Sequence, residues 1–235
     1  FNNVNIFKPK PKLYARLNLS GMAGDYEWFI YGTKFTLTKF FKQMDHAQND
    51  PRVKGLLIDW KPDFSTDPAT LYEIYQRVKE FKDSGREIVF YCHSMGWGSM
   101  YLASLADRRA MLPIGEMEFS NLGGERLYLA DMLSEMGLDY QRYNVGAYKG
   151  AGEELDSNSM SPEVRENVGR ALRELYDTII DTSRENYGFS HSQMEDIEKR
   201  WFITHDEMLE FGLIDTLLYD DKVSDWVCHR ADSDD

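Results

Sequence analysis

The chain has 235 residues, of which 42% are hydrophobic and 14% aromatic, and its formal net charge at pH 7 is −13. This length suits one large α/β domain with a sizeable core. The acidic charge argues against nucleic acid and anionic membrane surfaces as partners, because phosphate groups bind basic faces. No apolar run approaches the roughly 20 residues that span a bilayer. The chain begins at Phe1, and we interpret it as a mature form or as a region excised from a longer protein.

Cysteines and histidines give little indication of a metal or redox site. The two cysteines, Cys92 and Cys228, lie far apart in the sequence. Cys92 stands in an apolar, strand-like run, which predicts a buried thiol, and neither residue fixes the redox compartment. The five histidines have no metal-ligand spacing, so the sequence predicts no metal site.

The first half of the chain predicts strands that alternate with helices. Apolar and polar residues alternate over 13–19, as in a half-buried strand, and Asp67 followed by Pro68 is typical of a helix start. The predicted elements are strand 13–19, helix 36–50, strand 53–60, helix 68–84 and strand 87–92.

The second half continues the alternation, which predicts an α/β fold with a largely parallel sheet. Ser161 and Pro162 are a favoured pair at the start of a helix, here the longest one. We expect Arg108 and Arg109 to face solvent and the Met and Tyr residues of 127–136 to form core. The predicted elements are helix 98–107, strand 108–113, helix 125–136, strand 139–145, a helix from Ser161, helix 205–211 and strand 213–218.

Ligand sites of parallel sheets gather where strands end, and three loops follow predicted strands here, at 61–67, 93–99 and 146–154. In the second loop Gly96 and Gly98 lead into a helix. This pattern is typical of a nucleophile elbow or an oxyanion site, and equally of a tight turn that needs glycine for positive φ. The pair Gly123–Gly124 either lets the backbone approach a ligand or turns the chain.

Lys149 stands in the third loop among small residues. This context predicts a lysine held close to the backbone and partly shielded from water. If burial lowered its pKa by several units, Lys149 could serve as the general base of a Ser–Lys dyad. The alternative is a solvated loop lysine that pairs with Glu153 or Glu154. The flanking small residues are Gly146, Ala147, Gly150, Ala151 and Gly152.

Four segments occur in an order that resembles a known family. They are AQNDPRVKGLLIDW (47–60), YQRVKEFKDSGREIVFYCHSMGWGSMYLASLAD (75–107), RYNVGAYKGAGEELDSNSMSPEVRE (142–166) and ITHDEMLEFGLIDTL (203–217). They resemble the signal peptide peptidase A (protease IV) family of Ser–Lys serine peptidases. The resemblance implies a ClpP/crotonase-like fold of repeated β-β-α and βα units over 13–222. The residues themselves predict an N-terminal linker at 1–12, with the basic cluster KPKPK, and an acidic C-terminal tail at 223–235.

The resemblance assigns the general base to Lys149, because the third segment carries the family's lysine. The family's serine position holds Trp97 instead, and Ser99 is the alternative nucleophile. The turn that contains PGG in active members reads KPDFSTD here. In this comparison the residues near the substrate and the oxyanion are Gly96, Gly98, Gly123 and Gly124.

The family's long members are tandem duplications in which the N-terminal half supplies the lysine and the C-terminal half the serine. This chain resembles the lysine-bearing half. The resemblance thus implies a serine peptidase, or its lysine-bearing half, that cleaves residual signal peptides and unfolded apolar peptides through an acyl-enzyme. The serine would come from another domain or subunit.

The resemblance also implies no metal or organic cofactor and a homo-oligomer or a serine-bearing second subunit. It implies attachment to a bacterial-type cell envelope, outside the cytoplasm, through an anchor that this chain lacks. One alternative is a catalytically inactive scaffold or peptide-binding member of the same fold. A second is a crotonase-type acyl-CoA enzyme.

Overall fold

The structure is a computed structural model that describes residues 13–24, 35–117, 119 and 125–229. The chain divides into two compact units, residues 1–120 together with 180–235, and residues 121–179. In chain order the described elements are β1 (Leu13–Leu19), β2 (Ala23–Gly24), β3 (Phe35–Thr36), α1 (Leu37–Asn49), β4 (Val53–Trp60), α2 (Pro68–Asp83), β5 (Glu87–Met95), α3 (Trp97–Ala103), β6 (Arg108–Met117), α4 (Ala130–Glu135), α5 (Glu153–Asp156), α6 (Pro162–Tyr187), α7 (His191–Glu198), α8 (His205–Phe211), β7 (Thr216–Leu217) and α9 (Asp220–His229).

A parallel sheet organises the first unit. Its five strands stand in the order β1, β4, β5, β6, β7, and each neighbouring pair is parallel. The strand β4 is buried along almost its whole length, as expected of a central strand covered on both faces. The predicted α/β class with a largely parallel sheet is therefore confirmed.

Helices α2 and α3 lie against one face of this sheet. The α2 helix begins where predicted, because the Asp67 carboxylate accepts hydrogen bonds from the backbone N–H groups of Ala69 and Thr70, at 2.9 and 3.0 Å. A Cβ atom at Gly98 of α3 would meet Leu71 of α2 at 3.4 Å and Trp60 of β4 at 3.8 Å. The predicted inner face of α2 is buried and consists of Leu71, Ile74, Tyr75, Val78 and Phe81.

Helix α9 covers the other face of the sheet and was not predicted. Its Val223 and Val227 are buried against Leu57, Val89 and Ala110 of the central strands. Residues 223–229, which the sequence assigned to an acidic tail, thus lie in a helix that closes part of the core. Residues 1–12 and 230–235, the predicted linker and the end of the predicted tail, lie outside the described residues.

Arg108 and Arg109 do not face solvent, contrary to expectation. Arg108 is 7% exposed; its guanidinium bonds the Glu87 carboxylate at 2.6 Å and two carbonyl oxygens of α9. The Arg109 guanidinium lies over the ring of Tyr187 and donates to two backbone carbonyls. The expectation was wrong because it did not foresee that α9 and the end of α6 would cover strand β6.

The second unit contains α4, α5 and most of α6, and much of its apolar surface is exposed. Met132 is 49% exposed, Met136 is 66% exposed and Tyr128 is half-buried, so the expectation that the Met and Tyr residues of 127–136 form core is wrong. The predicted strand at 139–145 is also wrong, because these residues form neither helix nor strand. Tyr143 and Val145, whose alternation suggested a strand, are 89% and 87% exposed.

Candidate functional site

Trp97 begins helix α3, directly after the carboxyl end of β5. The residue is 5% exposed, and its ring meets that of Phe119 edge-on with centroids 4.9 Å apart. A buried indole at this place has no hydroxyl to offer as a nucleophile. Trp97 belongs to the first unit and Lys149 to the second, so their pairing stays a prediction.

Ser99, the alternative nucleophile, is buried in the first turn of the same helix. Its Oγ accepts from the backbone N–H of Gly96 at 2.9 Å and donates to the Gly96 carbonyl at 3.1 Å. The hydroxyl thus satisfies the Gly96 N–H, which the start of a helix leaves without an intrahelical partner. This arrangement favours a capping role for Ser99 over a nucleophilic one.

Gly96 and Gly98 do not provide a strained elbow. Gly96 has a φ of −149°, an extended conformation that any residue adopts. Among the described residues, positive φ occurs elsewhere and does not include either glycine. The suggestion that this turn needs glycine for positive φ is therefore wrong. Gly123 and Gly124 lie outside the described residues.

The structure brings two of the three candidate loops together at the carboxyl edge of the sheet. The Lys61 amine lies 2.9 Å from Nε2 of His93 and 3.0 Å from a carboxylate oxygen of Asp59. Asp59 is fully buried, and its other oxygen accepts from the Arg16 guanidinium at 2.5 Å. The Asp220 carboxylate of α9 completes this edge cluster, 3.0 Å from His93 Nε2.

The edge cluster contains side chains of both charges. The Asp59 and Asp220 carboxylates stand against the Arg16 guanidinium and the Lys61 ammonium, so opposite charges alternate through the cluster. His93 Nε2 lies within hydrogen-bond distance of both the Lys61 amine and the Asp220 carboxylate. Burial, followed by the Asp220 and Asp59 charges, raises the pKa of the Tyr91 hydroxyl beside the cluster.

The third candidate loop, residues 146–154, is called the lysine loop below. Lys149 is exposed within it, which contradicts the expectation of a lysine partly shielded from water. Within the described part of the chain no carboxylate lies at ion-pair distance from the Lys149 amine, so neither suggested partner, Glu153 or Glu154, pairs with it. Glu153 instead accepts from the Ser161 N–H at 2.8 Å. The neighbouring Tyr148 is 55% exposed.

The backbone of the lysine loop is nevertheless held firmly. The backbone N–H of Lys149 donates to the Gly146 carbonyl at 3.2 Å, and the Asn144 side-chain amide donates to the Lys149 carbonyl at 2.6 Å. A Cβ atom at Gly150 would stand 2.6 Å from Val164 of α6, so only glycine lets the loop approach that helix so closely. The small residues that drew attention in the sequence serve this close packing.

The described residues contain neither a candidate metal site nor a candidate membrane span. No cluster of three His, Cys, Asp or Glu side chains there has a geometry that could hold a metal ion. In the same residues, no helix combines the length and apolar character that crossing a bilayer requires.

The sequence profile of Peptidase family S49 matches residues 80–233. The match includes the start of α3, the lysine loop and helix α9. This chain belongs to Peptidase family S49. The resemblance drawn from the four sequence segments is thus confirmed at the level of the family.

Curated relatives of this S49 chain carry peptidase names. Protease 4 of Haemophilus influenzae is 32% identical over 143 residues, which are 61% of this chain and 23% of that protein. The chloroplastic serine protease SPPA of Arabidopsis thaliana is 25% identical over 207 residues, 88% of this chain and 30% of that protein. The chain therefore spans less than a third of the length of these relatives.

Similar solved structures include ClpP1 from Listeria monocytogenes, with a TM-score of 0.46 and 9% identity over 87% of this chain and 91% of that one. Human mitochondrial delta3-delta2-enoyl-CoA isomerase has a TM-score of 0.47 and 13% identity, over 83% of this chain and 64% of that one. The family assignment rests on the sequence comparisons alone.

Sequence reasoning missed two features of this S49 chain. The edge cluster joins residues of β1, β4, β5 and α9, and no local motif marks it. Glu153 was considered only as a partner for Lys149, although it is 2% exposed. The available signal was its place eight residues before Ser161, which directly precedes α6, within the segment that resembles the family.

Proposed function

We propose that this S49 chain is the lysine-bearing part of a serine peptidase of the signal peptide peptidase A type. Lys149 is its general base, and the serine comes from another domain or subunit. One observation carries the proposal: the family match includes the lysine segment, while the position of the family's serine holds the buried Trp97. A chain with the base and without the nucleophile is half of a dyad.

The exposure of Lys149 supports a partner that covers it. A lysine acts as a general base only as the neutral amine, and burial is what lowers a lysine pKa toward neutrality. In this chain Lys149 is exposed, and the nearby Tyr143 and Val145 are 89% and 87% exposed. A second domain that buried these apolar side chains would also remove water from the amine.

In the assembled site Lys149 takes the proton of the serine hydroxyl as the oxygen attacks the scissile carbonyl. Backbone N–H groups stabilise the oxyanion, and the protonated lysine then gives its proton to the leaving amine. Water releases the acyl group by the same route. The substrates we propose are residual signal peptides and unfolded apolar peptides, in keeping with the names Protease 4 and SPPA of the relatives.

The place of action belongs to the same proposal. We expect the assembly to contain several copies of this chain or a serine-bearing partner. We also expect it to act in a bacterial-type cell envelope, outside the cytoplasm, held by an anchor beyond this chain. The acidic net charge of −13 supports a peptide substrate over nucleic acid.

The test is the peptidase rate of the complete assembly, purified through a tag on this chain. We expect Lys149→Ala to lower kcat by about 10²–10⁴-fold, the usual contribution of a general base. Lys149→Arg should be equally inactive, because a guanidinium stays protonated. Lys199→Ala is the matched control, since Lys199 is an exposed lysine that pairs with Glu195 of α7 at 3.1 Å. A Lys149→Ala rate within a few-fold of the unchanged assembly would return Lys149 to an ordinary loop residue.

The buried Trp97 also fits a second function, a scaffold or peptide-binding subunit without catalysis. A fluorophosphonate probe separates the two. Labelling of a serine in the purified assembly supports the peptidase, whereas an assembly that binds unfolded peptide and stays unlabelled supports the scaffold.

A further inference from the structure

We infer that Glu153 is a positioning residue for Lys149, because its buried carboxylate ties the lysine loop to the first turn of α6. The inference rests on the proposed role of Lys149 as general base. It assigns to Glu153 no contact with substrate. The carboxylate acts through the backbone that carries the lysine.

The main observation is a carboxylate buried four residues after Lys149. Glu153 is 2% exposed, and its Oε1 accepts from the backbone N–H of Ser161 at 2.8 Å. That N–H immediately precedes α6, which begins at Pro162. The hydrogen bond from Ser161 is also the main cause that lowers the pKa of the Glu153 carboxyl, which therefore stays ionised at neutral pH.

Two further contacts hold the lysine loop against the same helix. Before Lys149, the Tyr148 hydroxyl donates to the Glu166 carboxylate of α6 at 3.2 Å. After Lys149, Gly150 packs so closely on Val164 that an added Cβ would stand 2.6 Å from it. Lys149 is thus bracketed by contacts to α6, and Glu153 supplies the one that is buried and charged.

The backbone is the route by which Glu153 can affect Lys149. Nothing in the described residues forms an ion pair with the Lys149 amine, so the side chain does not fix its own place. Its backbone is fixed by Gly146 and Asn144, and the Glu153 N–H donates to the Gly150 carbonyl at 3.1 Å. Releasing the Glu153 carboxylate should therefore let the whole loop move away from α6.

The experiment compares Glu153→Gln, Glu153→Asp and Glu153→Ala, with Glu174→Gln as control because Glu174 is exposed on α6. Glutamine keeps a carbonyl oxygen for the Ser161 N–H. Aspartate keeps the negative charge, but its side chain is one methylene shorter, so the carboxylate lies farther from the Ser161 N–H. The first readout is hydrogen exchange of the lysine-loop amides in the 235-residue chain, which requires no activity.

We expect Glu153→Ala and Glu153→Asp to speed exchange of the lysine loop by about tenfold, the ratio that follows from losing a hydrogen bond to a charged group. Exchange in α2 should be unchanged, and Glu153→Gln should stay within about threefold of the unchanged chain. In the complete assembly, kcat should fall about tenfold for the alanine and aspartate variants with KM unchanged. Rescue by glutamine is the sign of positioning through the hydrogen bond.

Unchanged hydrogen exchange of the lysine loop in Glu153→Ala would show that the Glu153 carboxylate does not hold the loop against α6. Faster exchange with an unchanged kcat, in an assembly that Lys149→Ala inactivates, would make Glu153 purely structural and would overturn the positioning role. If Lys149→Ala keeps its activity, the proposed function fails, and the positioning role fails with it. If Glu153→Ala does not fold, the glutamine and aspartate pair decides the question by the same measurements.

Discussion

Carboxylates accept backbone N–H groups at the start of several helices, including α2 and α6. Asp67 does so for α2 and Glu153 for α6. In both residues these hydrogen bonds lower the pKa of the carboxyl group. A lowered pKa in the folded state means that the ionised group stabilises the fold.

For Asp67 the sign gives a prediction. The hydrogen bond from Thr70 is the main cause of the lowered pKa. The ionised Asp67 carboxylate therefore stabilises the fold fully at a pH above its pKa in the unfolded chain, about 3.9. This stabilisation is lost as the pH falls through the lower pKa that Asp67 has in the folded chain. We expect Asp67→Ala to reduce the free energy of unfolding by about 1 kcal/mol at pH 7.

Asp67→Asn is the control, because asparagine caps a helix about as well as aspartate but does not ionise. It should match the unchanged chain at pH 7 and lose the part of the acid sensitivity that Asp67 causes. Urea titrations between pH 3 and 7 measure both effects. Equal stability of Asp67→Ala and the unchanged chain at pH 7 would contradict the capping role.

At the scale of elements, two glycines at helix α6 differ in how much room they leave for a side chain. Gly169 lies within the helix, where an added Cβ would meet only the mobile end of Arg173 at 3.5 Å. Gly150 lies against the helix, and its Cβ would stand 2.6 Å from the stiff Val164. Helical propensity alone decides at the first position, and packing decides at the second.

We therefore expect Gly169→Ala to stabilise the chain by about 0.5–1 kcal/mol, since alanine is the better helix former. Gly150→Ala should destabilise it by about 1–3 kcal/mol through overpacking. Thermal unfolding of both variants measures the difference. Combining Gly150→Ala with Val164→Ala should recover part of the loss, and the absence of any recovery would show that Val164 is not the obstacle.

Arg108 of strand β6 binds the carboxyl end of helix α9. Arg108 pairs with Glu87 at 2.6 Å, bonds the carbonyls of Trp226 and Val227, and lies over the Trp226 ring. A cation at the end of a helix also complements the helix dipole. The side chain of Arg108 is 9% exposed and that of Glu87 28% exposed, so the pair is poorly screened by water.

We expect Arg108→Met to destabilise the chain by about 3–5 kcal/mol, because it leaves the Glu87 carboxylate without its cation. The double variant Arg108→Met/Glu87→Gln should lose less than the single one. Hydrogen exchange of α9 should rise most, since its carbonyl contacts are lost. A loss below about 1 kcal/mol would place Arg108 among ordinary surface pairs.

At the scale of the whole molecule, neither residue that the family comparison placed at the nucleophile position, Trp97 or Ser99, offers an available hydroxyl. Trp97 has no hydroxyl, and both hydrogen-bonding functions of the Ser99 Oγ are used on the Gly96 backbone. We expect the 235-residue chain alone to hydrolyse peptides slowly or not at all and to resist a fluorophosphonate probe.

The matched variant is Ser99→Ala, which should cost about 1 kcal/mol of stability by removing the capping hydroxyl. Mass spectrometry after probe treatment measures labelling, and urea titration measures stability. Labelling of the chain that disappears in Ser99→Ala would make Ser99 the nucleophile and would show that the prediction was wrong.

The sequence by itself determined the features that depend on neighbouring residues. The α/β class followed from the alternation of elements, and β1, β4 and α8 have their predicted bounds. The start of α2 followed from Asp67 and Pro68, because a cap acts within one helical turn. The four ordered segments gave the family, since they keep their order and the specific lysine segment.

Only the tertiary structure decided which surfaces are covered, because burial depends on segments far apart in the chain. Arg108 is buried because α9, more than 100 residues later, packs over its strand. Residues 139–145 alternate like a strand, but alternation cannot supply the neighbouring strand that pairing requires, and the structure has no strand there. The small residues around Lys149 predicted close packing correctly. They could not show that the packing holds the backbone of the lysine loop against α6 while the amine stays exposed to water.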